Sequence, residues 1–213
     1  MSKPGAPSRD ERRQQLLDAA RVLFSERGYH ETTVDDITRA ADVAKGTFYL
    51  YFSEKREIYH EVIRGFLSLI KEFGDLATEH NPSPAEYFER IREGARRLIQ
   101  VLQGNARLAR LAYREALGVD ETLTAMFRDF YREIAELEAR NIELAMQLGV
   151  VRPCVPLVVA YAHIGTVERV VLEVLERPED FPPLEEIVDE LLRIGYEGVR
   201  GPNGPAWTAL FPA

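Results

Sequence analysis

The sequence predicts an all-α fold of about nine helices, in which three short N-terminal helices precede a larger helical domain. Three observations support this prediction. Apolar residues recur at helical spacing in one segment after another of the 213 residues. Serine, threonine, proline and glycine stand between the segments, at positions where they begin or end helices. Strand signals are weak, because no hairpin turn of the Asn-Gly kind separates two alternating apolar runs.

The first helix is predicted to begin after Ser8. Ser8 and Glu11 have the spacing of a capping box, in which the hydroxyl and the carboxylate accept hydrogen bonds from free backbone amides. Gly28 is a natural C-terminal stop for this helix. Its apolar face is formed by Leu16, Ala20, Leu23 and Phe24.

A second and a third short helix follow, joined by a tight turn. Thr33 is predicted to cap the second helix, with Asp36 at the capping-box position. The turn covers residues 42–44, and the third helix is predicted over residues 45–52. Two short helices joined in this way, with another helix packed behind them, form a helix-turn-helix.

Six further helices are predicted beyond residue 52. The clearest start is Ser83, with Pro84 at the first helical position and Glu86 at the capping-box position. The predicted limits are about 53–79, 83–103, 106–117, 121–148, 156–175 and 184–199. Residues 201–213 contain three prolines and are predicted to form a tail.

The composition is that of an ordinary globular protein. Hydrophobic residues make up 46% of the chain and charged residues 29%. No apolar run reaches the roughly 18 residues that a membrane helix needs, and the polar N-terminus lacks the apolar core of a secretion signal. A cytoplasmic location is therefore expected. The single cysteine, Cys154, excludes an internal disulfide and a cysteine-based zinc site.

The net charge of −8 lies entirely beyond residue 60. Residues 1–60 contain ten Lys and Arg and ten Asp and Glu, whereas residues 61–213 contain seventeen and twenty-five. A neutral, locally basic N-terminal segment is compatible with DNA binding, because the local field decides whether phosphates are attracted.

The third helix has the chemistry of a DNA-recognition helix. Phe48 and Phe52 are four residues apart and share a face, so they can anchor the helix to the core. The other faces can enter a major groove about 12 Å wide. The residues available there, or at the start of the next helix, for base edges and phosphates are Lys45, Gly46, Thr47, Tyr49 and Lys55.

At these residues the sequence resembles the DNA-binding signature of the TetR family of transcriptional regulators. The resemblance covers roughly residues 9–60 and is nearly continuous over residues 33–55, TVDDITRAADVAKGTFYLYFSEK. It implies DNA contacts by Thr33, Lys45, Thr47, Tyr49, Tyr51 and Lys55. Two departures are mild: family members often have histidine in place of Tyr51 and an aromatic residue in place of Leu50.

The resemblance also implies how the chain is organised. We expect a disordered arm at residues 1–8 and a helix-turn-helix DNA-binding domain at 9–55. A helical ligand-binding and dimerisation domain is expected at 56–200, followed by the Pro-rich tail at 201–213.

Each predicted DNA contact also has a structural interpretation. Tyr49 and Tyr51 could be half-buried core residues, because aromatic side chains at helical spacing usually belong to a core. Lys55 could be an ordinary surface lysine. Thr33 caps the second helix in either case, and a phosphate contact would be additional.

In the C-terminal domain, the resemblance implies a cavity for a small, largely apolar effector. The candidate ligand-binding residues are Phe66, Ile70, Tyr113, Phe127, Tyr131, Tyr161 and His163. Buried hydroxyl and imidazole groups need partners, and a ligand can be one. The alternative is an ordinary core in which His163 is satisfied by the protein. Arg107, Arg110 and Arg114 share a helix face, which could bind an anionic ligand or simply face solvent.

A homodimer is predicted from the apolar segment 155–175 and the last helix. A helix that is apolar on more than one side must be covered. Pairing of both helices with their two-fold mates would form a four-helix interface. The DNA site of such a dimer is expected to be a near-palindrome.

The predicted function is sequence-specific transcriptional regulation, by a repressor that the effector releases from a palindromic operator. The alternative is a helical interaction protein whose N-terminal segment binds a protein partner instead of DNA. An enzyme is not expected, because no phosphate-binding Gly-rich loop, metal-spaced His cluster or nucleophile elbow is present. The prediction therefore names no catalytic residue, no metal and no cofactor.

Overall fold

The computed structural model describes residues 8–71, 82–115, 121–200 and 206, with the backbone alone at 113–115. The α-helices in these ranges are α1 (Arg9–Glu31), α2 (Val34–Ala40), α3 (Lys45–Phe48), α4 (Lys55–Lys71), α5 (Pro84–Gly104), α6 (Ala106–Glu115), α7 (Glu121–Gln147), α8 (Pro156–Glu176) and α9 (Leu184–Glu197). A short 3₁₀ helix, Pro178–Asp180, precedes α9. Within the described residues, β pairing is limited to one antiparallel bridge between Val151 and Arg200. The predicted all-α fold is confirmed.

The capping boxes predicted at the starts of α1, α2 and α5 are present. In each, the Ser or Thr hydroxyl accepts a hydrogen bond from the amide three residues later, and the carboxylate at that position accepts one from the cap amide. The pairs are Ser8–Glu11, Thr33–Asp36 and Ser83–Glu86. Hydrogen bonds from the cap residue lower the pKa of each of these carboxyl groups. Short-range sequence thus decides where these helices begin.

Two predicted helix ends can be compared with the structure. Gly28 has a φ of 82° and a ψ of 173°, so it interrupts the helix as predicted, and one further turn continues to Glu31. The third helix was expected over 45–52, and α3 covers only Lys45–Phe48. Beyond it, the amides of Leu50 and Tyr51 donate to carbonyls three residues earlier, at 3.2 and 3.0 Å. This spacing tightens the chain into a turn.

Several predictions concern residues outside the described ranges. These are the arm at 1–7, the extension of α4 to residue 79, the last residues of α6 at 116–117, and the tail except residue 206.

The described residues form two compact units. The first contains those within Met1–Leu67 and Arg107–Met126, and the second those within Ser68–Ala106 and Phe127–Ala213. A domain boundary at residue 55 would separate parts that fold independently. Compactness does not test independent folding, so this boundary stays a prediction.

Aromatic side chains fill the core of the first unit. Phe24, Phe48, Phe52 and Tyr59 are almost completely buried. Phe24 meets Tyr59 edge-on with 5.1 Å between ring centroids, and the rings of Phe48 and Phe52 are 5.6 Å apart. Each buried ring removes a large apolar area from water. Phe48 and Phe52 therefore anchor α3 and the turn after it, as the sequence predicts.

The core of the second unit lies among α5, α7, α8 and α9. Its buried members include Tyr87, Phe88, Ala135, Ile142, Ala160 and Tyr196. Ion pairs join α5 to α9 beside this core: Arg92 lies 3.2 Å from Asp189, and Arg96 lies 3.4 Å from Glu185. Because the residue numbers rise on α5 and fall on α9, the two helices run antiparallel.

Candidate nucleic-acid interface

The recognition strip, which we define as residues 45–51, turns one side to the core and the other to solvent. Tyr49 is 53% exposed and Leu50 is 71% exposed. Lys45 and Gly46 are exposed as well. Phe48, between them, is completely buried. A strip that is anchored from beneath and leaves large side chains in water is suited to binding a partner.

Lys45 forms an ion pair with Asp35, which lies on α2. The Nζ of Lys45 is 2.9 Å from Oδ1 and 3.1 Å from Oδ2 of Asp35. The hydrogen bond that Lys45 donates to Asp35, together with the negative charge of Asp35, raises the pKa of Lys45. Both side chains are more than half exposed, so water and salt reach the pair. The charge that Lys45 offers to a partner is therefore partly compensated within the protein.

Thr33, outside the recognition strip, and Tyr51, its last residue, both have partners in the protein. The Thr33 hydroxyl donates to Oδ2 of Asp36 at 2.6 Å and accepts from the Asp36 amide at 3.1 Å, so its capping role is established. Tyr51 is partly buried, and the Arg9 guanidinium lies 6.0 Å from its ring centroid. Thr47, within the strip, is also partly buried. The exposed Tyr49 is therefore not a core residue. Tyr51 packs partly against the protein and keeps part of its side chain exposed.

Gly46 is a glycine that the described part of the protein does not require. A Cβ added at Gly46 would have no neighbouring heavy atom within 4 Å among the described residues. Its φ also lies outside the left-handed region that favours glycine. The described residues therefore leave room for a side chain at Gly46.

Lys55 is directed at the end of α1. Its Nζ donates to the carbonyls of Tyr29 and Thr32, at 2.8 Å each, and lies 4.2 Å from the centre of the Tyr29 ring. The last carbonyls of a helix lack intrahelical partners, and a cation satisfies them well. Partial burial lowers the pKa of this ammonium group. Two of the three N–H donors of Lys55 are thus committed to the protein.

Asp35 belongs to the site, although sequence reasoning assigned it no role. It is ten residues from Lys45 and is more than half exposed, so neither spacing nor hydropathy marks the pair. The contact depends on how the turn between α2 and α3 brings the two helices together. In that turn Asp42 adopts a φ of 52°, a left-handed conformation that aspartate tolerates better than most residues.

Two of the effector candidates are partly buried and bonded to carboxylates in the second unit. The Tyr131 hydroxyl donates to Oε1 of Glu168 at 2.5 Å, which joins α7 to α8. Nδ1 of His163 lies 3.2 Å from Oε1 of Glu138, also across α7 and α8. His163 therefore has the protein partner that the ordinary-core alternative requires.

The other effector candidates are placed differently. Phe66 and Phe127 are buried, and Ile70 is partly buried. The side chain of Tyr113 lies outside the described residues. Tyr161 is 48% exposed in the single chain, so it lies on the surface of α8 and not in an internal cavity. Its role as an effector ligand stays a prediction.

The described ranges lack two further features. No group of three or more His, Cys, Asp or Glu side chains there could hold a metal ion. No helix in those ranges is long and apolar enough to cross a lipid bilayer.

Comparison with known proteins agrees with the geometry of the recognition strip. Residues 16–62 match the family described as bacterial regulatory proteins, tetR family. The uncharacterised HTH-type transcriptional regulator YhgD of Bacillus subtilis is 25% identical over 186 residues, which cover 83% of this chain and 89% of YhgD. This chain is a TetR-family transcriptional regulator. Its DNA-binding function follows from the family, which favours DNA over the protein partner considered above.

The N-terminal region of this TetR-family regulator is similar to two characterised relatives. The repressor KstR2 of Rhodococcus jostii and the activator FasR of Mycolicibacterium smegmatis are each 48% identical over 56 residues, 26% of this chain. That match covers 28% of KstR2 and 26% of FasR. Equal similarity to a repressor and to an activator does not distinguish repression from activation.

The TetR-family fold extends over most of the chain. The solved complex of SmeT with triclosan has a TM-score of 0.71 at 21% identity, and the match covers 90% of this chain and 93% of SmeT. At that identity the similarity concerns the fold. Because the relatives are transcriptional regulators, the prediction that this protein is not an enzyme is confirmed.

Proposed function

We propose that this TetR-family regulator is a dimeric repressor that binds a palindromic operator and leaves it when a small, largely apolar effector binds. The observation that carries the DNA part is the recognition strip, where exposed side chains surround the completely buried Phe48. A helix anchored in this way can enter a major groove without losing its position on the core. The other parts of the proposal rest on the second unit.

Six residues make the proposed DNA contacts, and all but Thr33 belong to the recognition strip. The six are Thr33, Lys45, Gly46, Thr47, Tyr49 and Tyr51. Tyr49 and Thr47 reach base edges, and Lys45 binds a phosphate. Leu50, which is 71% exposed, packs against a thymine methyl group or the sugar edge. The missing side chain of Gly46 lets the DNA backbone approach α3 closely.

Lys55 has a different role in this proposal. Since its Nζ already donates to two carbonyls at 2.8 Å, it holds the start of α4 against the end of α1. Any phosphate contact would use the third N–H of the ammonium. Lys55 therefore acts mainly as a positioning residue for the helix-turn-helix.

The exposed apolar residues of the second unit support a homodimer. Among its described residues, the large hydrophobic side chains that remain strongly exposed are Val155, Leu157, Val158, Tyr161 and Ile194. All lie on α8, next to its start, or on α9. Apolar residues concentrated on two helices are typical of a surface that another copy covers. A dimer also doubles the contacts of each recognition strip, which suits a palindromic operator.

The apolar core of the second unit supports a small, largely apolar effector. SmeT, whose fold is similar, is solved with triclosan. In this chain Tyr131 and His163 are partly buried and tied to carboxylates, so an effector with a donor group could replace one of these contacts. A coupling of about 1–3 kcal/mol between effector and operator would change operator affinity about 5–150-fold.

Selection of bound duplexes from a random pool tests the DNA part. At near-physiological salt, where non-specific binding fades, we expect a near-palindrome with half-sites about one helical turn or more apart. A reporter that carries this operator should be less active when the protein is present. Increased activity would identify an activator, as for FasR, and would contradict repression. If the folded protein enriched no sequence, the proposal that it binds a specific operator would be contradicted.

Gly46→Ala tests the recognition strip directly. A Cβ at this position meets nothing in the protein, and alanine favours a helix over glycine by about 1 kcal/mol, so stability should be unchanged or higher. Operator affinity should nevertheless fall about tenfold, because the methyl group stands where the DNA backbone approaches. Gly65→Ala on α4 is the matched control, since its added Cβ also meets nothing. Equal operator affinities for both variants would show that the DNA backbone does not approach Gly46.

A further inference from the structure

The recognition strip contains an ion pair that the proposed DNA contacts do not explain. Lys45, its proposed phosphate-binding cation, is bonded to both carboxylate oxygens of Asp35 in the DNA-free protein, at 2.9 and 3.1 Å. We propose that Asp35 competes with DNA phosphate for Lys45 and so lowers the affinity of the protein for DNA. This inference rests on the proposed phosphate contact of Lys45.

The positions of Asp35 and Lys45 support this competition. Asp35 and Lys45 lie on different helices, so the fold fixes their approach. Both side chains are more than half exposed, and a phosphate can therefore reach the same ammonium group from solvent. When it does, the Asp35 carboxylate is left near the negatively charged backbone of the DNA. Binding thus loses one ion pair and gains one repulsion for each Lys45–phosphate contact.

The expected size follows from counterion release. Each phosphate neutralised by a cation contributes about −0.9 to the slope of log K against log salt concentration. If Asp35 cancels one such contact, Asp35→Asn should make the slope steeper by about 0.9 for each protomer bound. From convergence near 1 M salt, that slope corresponds, for each protomer bound, to an affinity gain of about 15-fold at 50 mM and about fourfold at 200 mM.

The effect should not depend on the operator sequence. Non-specific affinity comes almost entirely from phosphate contacts, whereas the operator adds contacts to base edges. One recovered phosphate contact therefore multiplies both affinities by the same factor. Asp35 restrains binding to DNA of any sequence, and a duplex without an operator suffices to measure the effect.

The test uses the full chain and a 30-base-pair duplex of random sequence, so that it needs no known operator. Affinity is measured by fluorescence anisotropy over a series of salt concentrations for the wild type, Asp35→Asn, Lys45→Met and the double variant. Asp18→Asn is the matched control, because Asp18 is equally exposed and pairs with Arg21 on α1, outside the recognition strip. Thermal melting of each variant verifies that the fold is retained.

We expect Asp35→Asn to tighten binding by the factors above, Asp18→Asn to have little effect, and the gain to disappear in the Lys45→Met background. An equal gain in that background would overturn the competition, since Asp35 would then act only by general repulsion. Unchanged affinity of Asp35→Asn, with weaker binding by Lys45→Met, would reject the role of Asp35 and keep the phosphate contact. If Lys45→Met itself binds as well as the wild type, the contact fails and this inference with it.

Discussion

Replacing Lys55 by Met distinguishes a positioning residue from a phosphate ligand. The substitution keeps most of the side-chain volume and removes the hydrogen bonds from Nζ to the carbonyls of Tyr29 and Thr32. A hydrogen bond from a charged donor contributes about 1.5–3 kcal/mol when it is shielded. Lys55 is only partly buried, and water can replace it at both carbonyls, so we expect a total loss of about 2 kcal/mol. For a chain of this size the melting temperature should fall by roughly 4–8 °C.

The assay combines thermal or urea unfolding, at one fixed protein concentration, with the salt dependence of DNA binding. A positioning role predicts lower stability for Lys55→Met with an unchanged salt slope. Lys55→Arg should also lose stability, because a planar guanidinium does not reproduce the fit of the ammonium group between two carbonyls. The reasoning would be refuted if Lys55→Met kept the melting temperature and lost about 0.9 from the salt slope per protomer, since that result identifies a phosphate ligand.

Three further predictions concern pH, association and helix packing. Hydrogen bonds from Thr33 lower the pKa of Asp36 in the folded protein. The contribution of Asp36 to folding stability is therefore present above the unfolded pKa of about 3.9 and is lost as pH falls through the folded pKa. The melting temperatures of wild type and Asp36→Asn should therefore converge as the pH falls below about 4, and a constant difference would contradict this. If the proposed dimer forms through α8, Val158→Glu should make the protein monomeric in sedimentation velocity, whereas Val22→Glu, also at an exposed apolar residue but in the first unit, should leave it dimeric. Gly195→Ala should lack the gain of about 1 kcal/mol that alanine brings to a helix, because its Cβ would lie 3.3 Å from Nε2 of His163. The gain should return in a His163→Ala background, and its absence there would contradict the packing argument.

Local signals in the sequence determined the helix starts and the family. The capping boxes of Ser8, Thr33 and Ser83 could be recognised because each hydrogen-bonded pair is three residues apart in the chain. The same holds for the anchoring pair Phe48 and Phe52, four residues apart on one helical face. The TetR signature could be recognised for a related reason, since it is a nearly continuous run of residues.

The tertiary structure decided which side chains are free to act. Lys45 and Asp35 are ten residues apart in the chain, and Lys55 is 23 and 26 residues from the carbonyls that it binds. The turn and the helix crossings bring these groups together. No periodicity in the sequence encodes such contacts. Likewise, the spacing of Tyr161 does not tell whether it faces the core, and the packing of α8 leaves it 48% exposed in the single chain. Spacing fixes which residues share a helix face, and only the neighbouring helices determine whether that face is buried, paired or open to solvent.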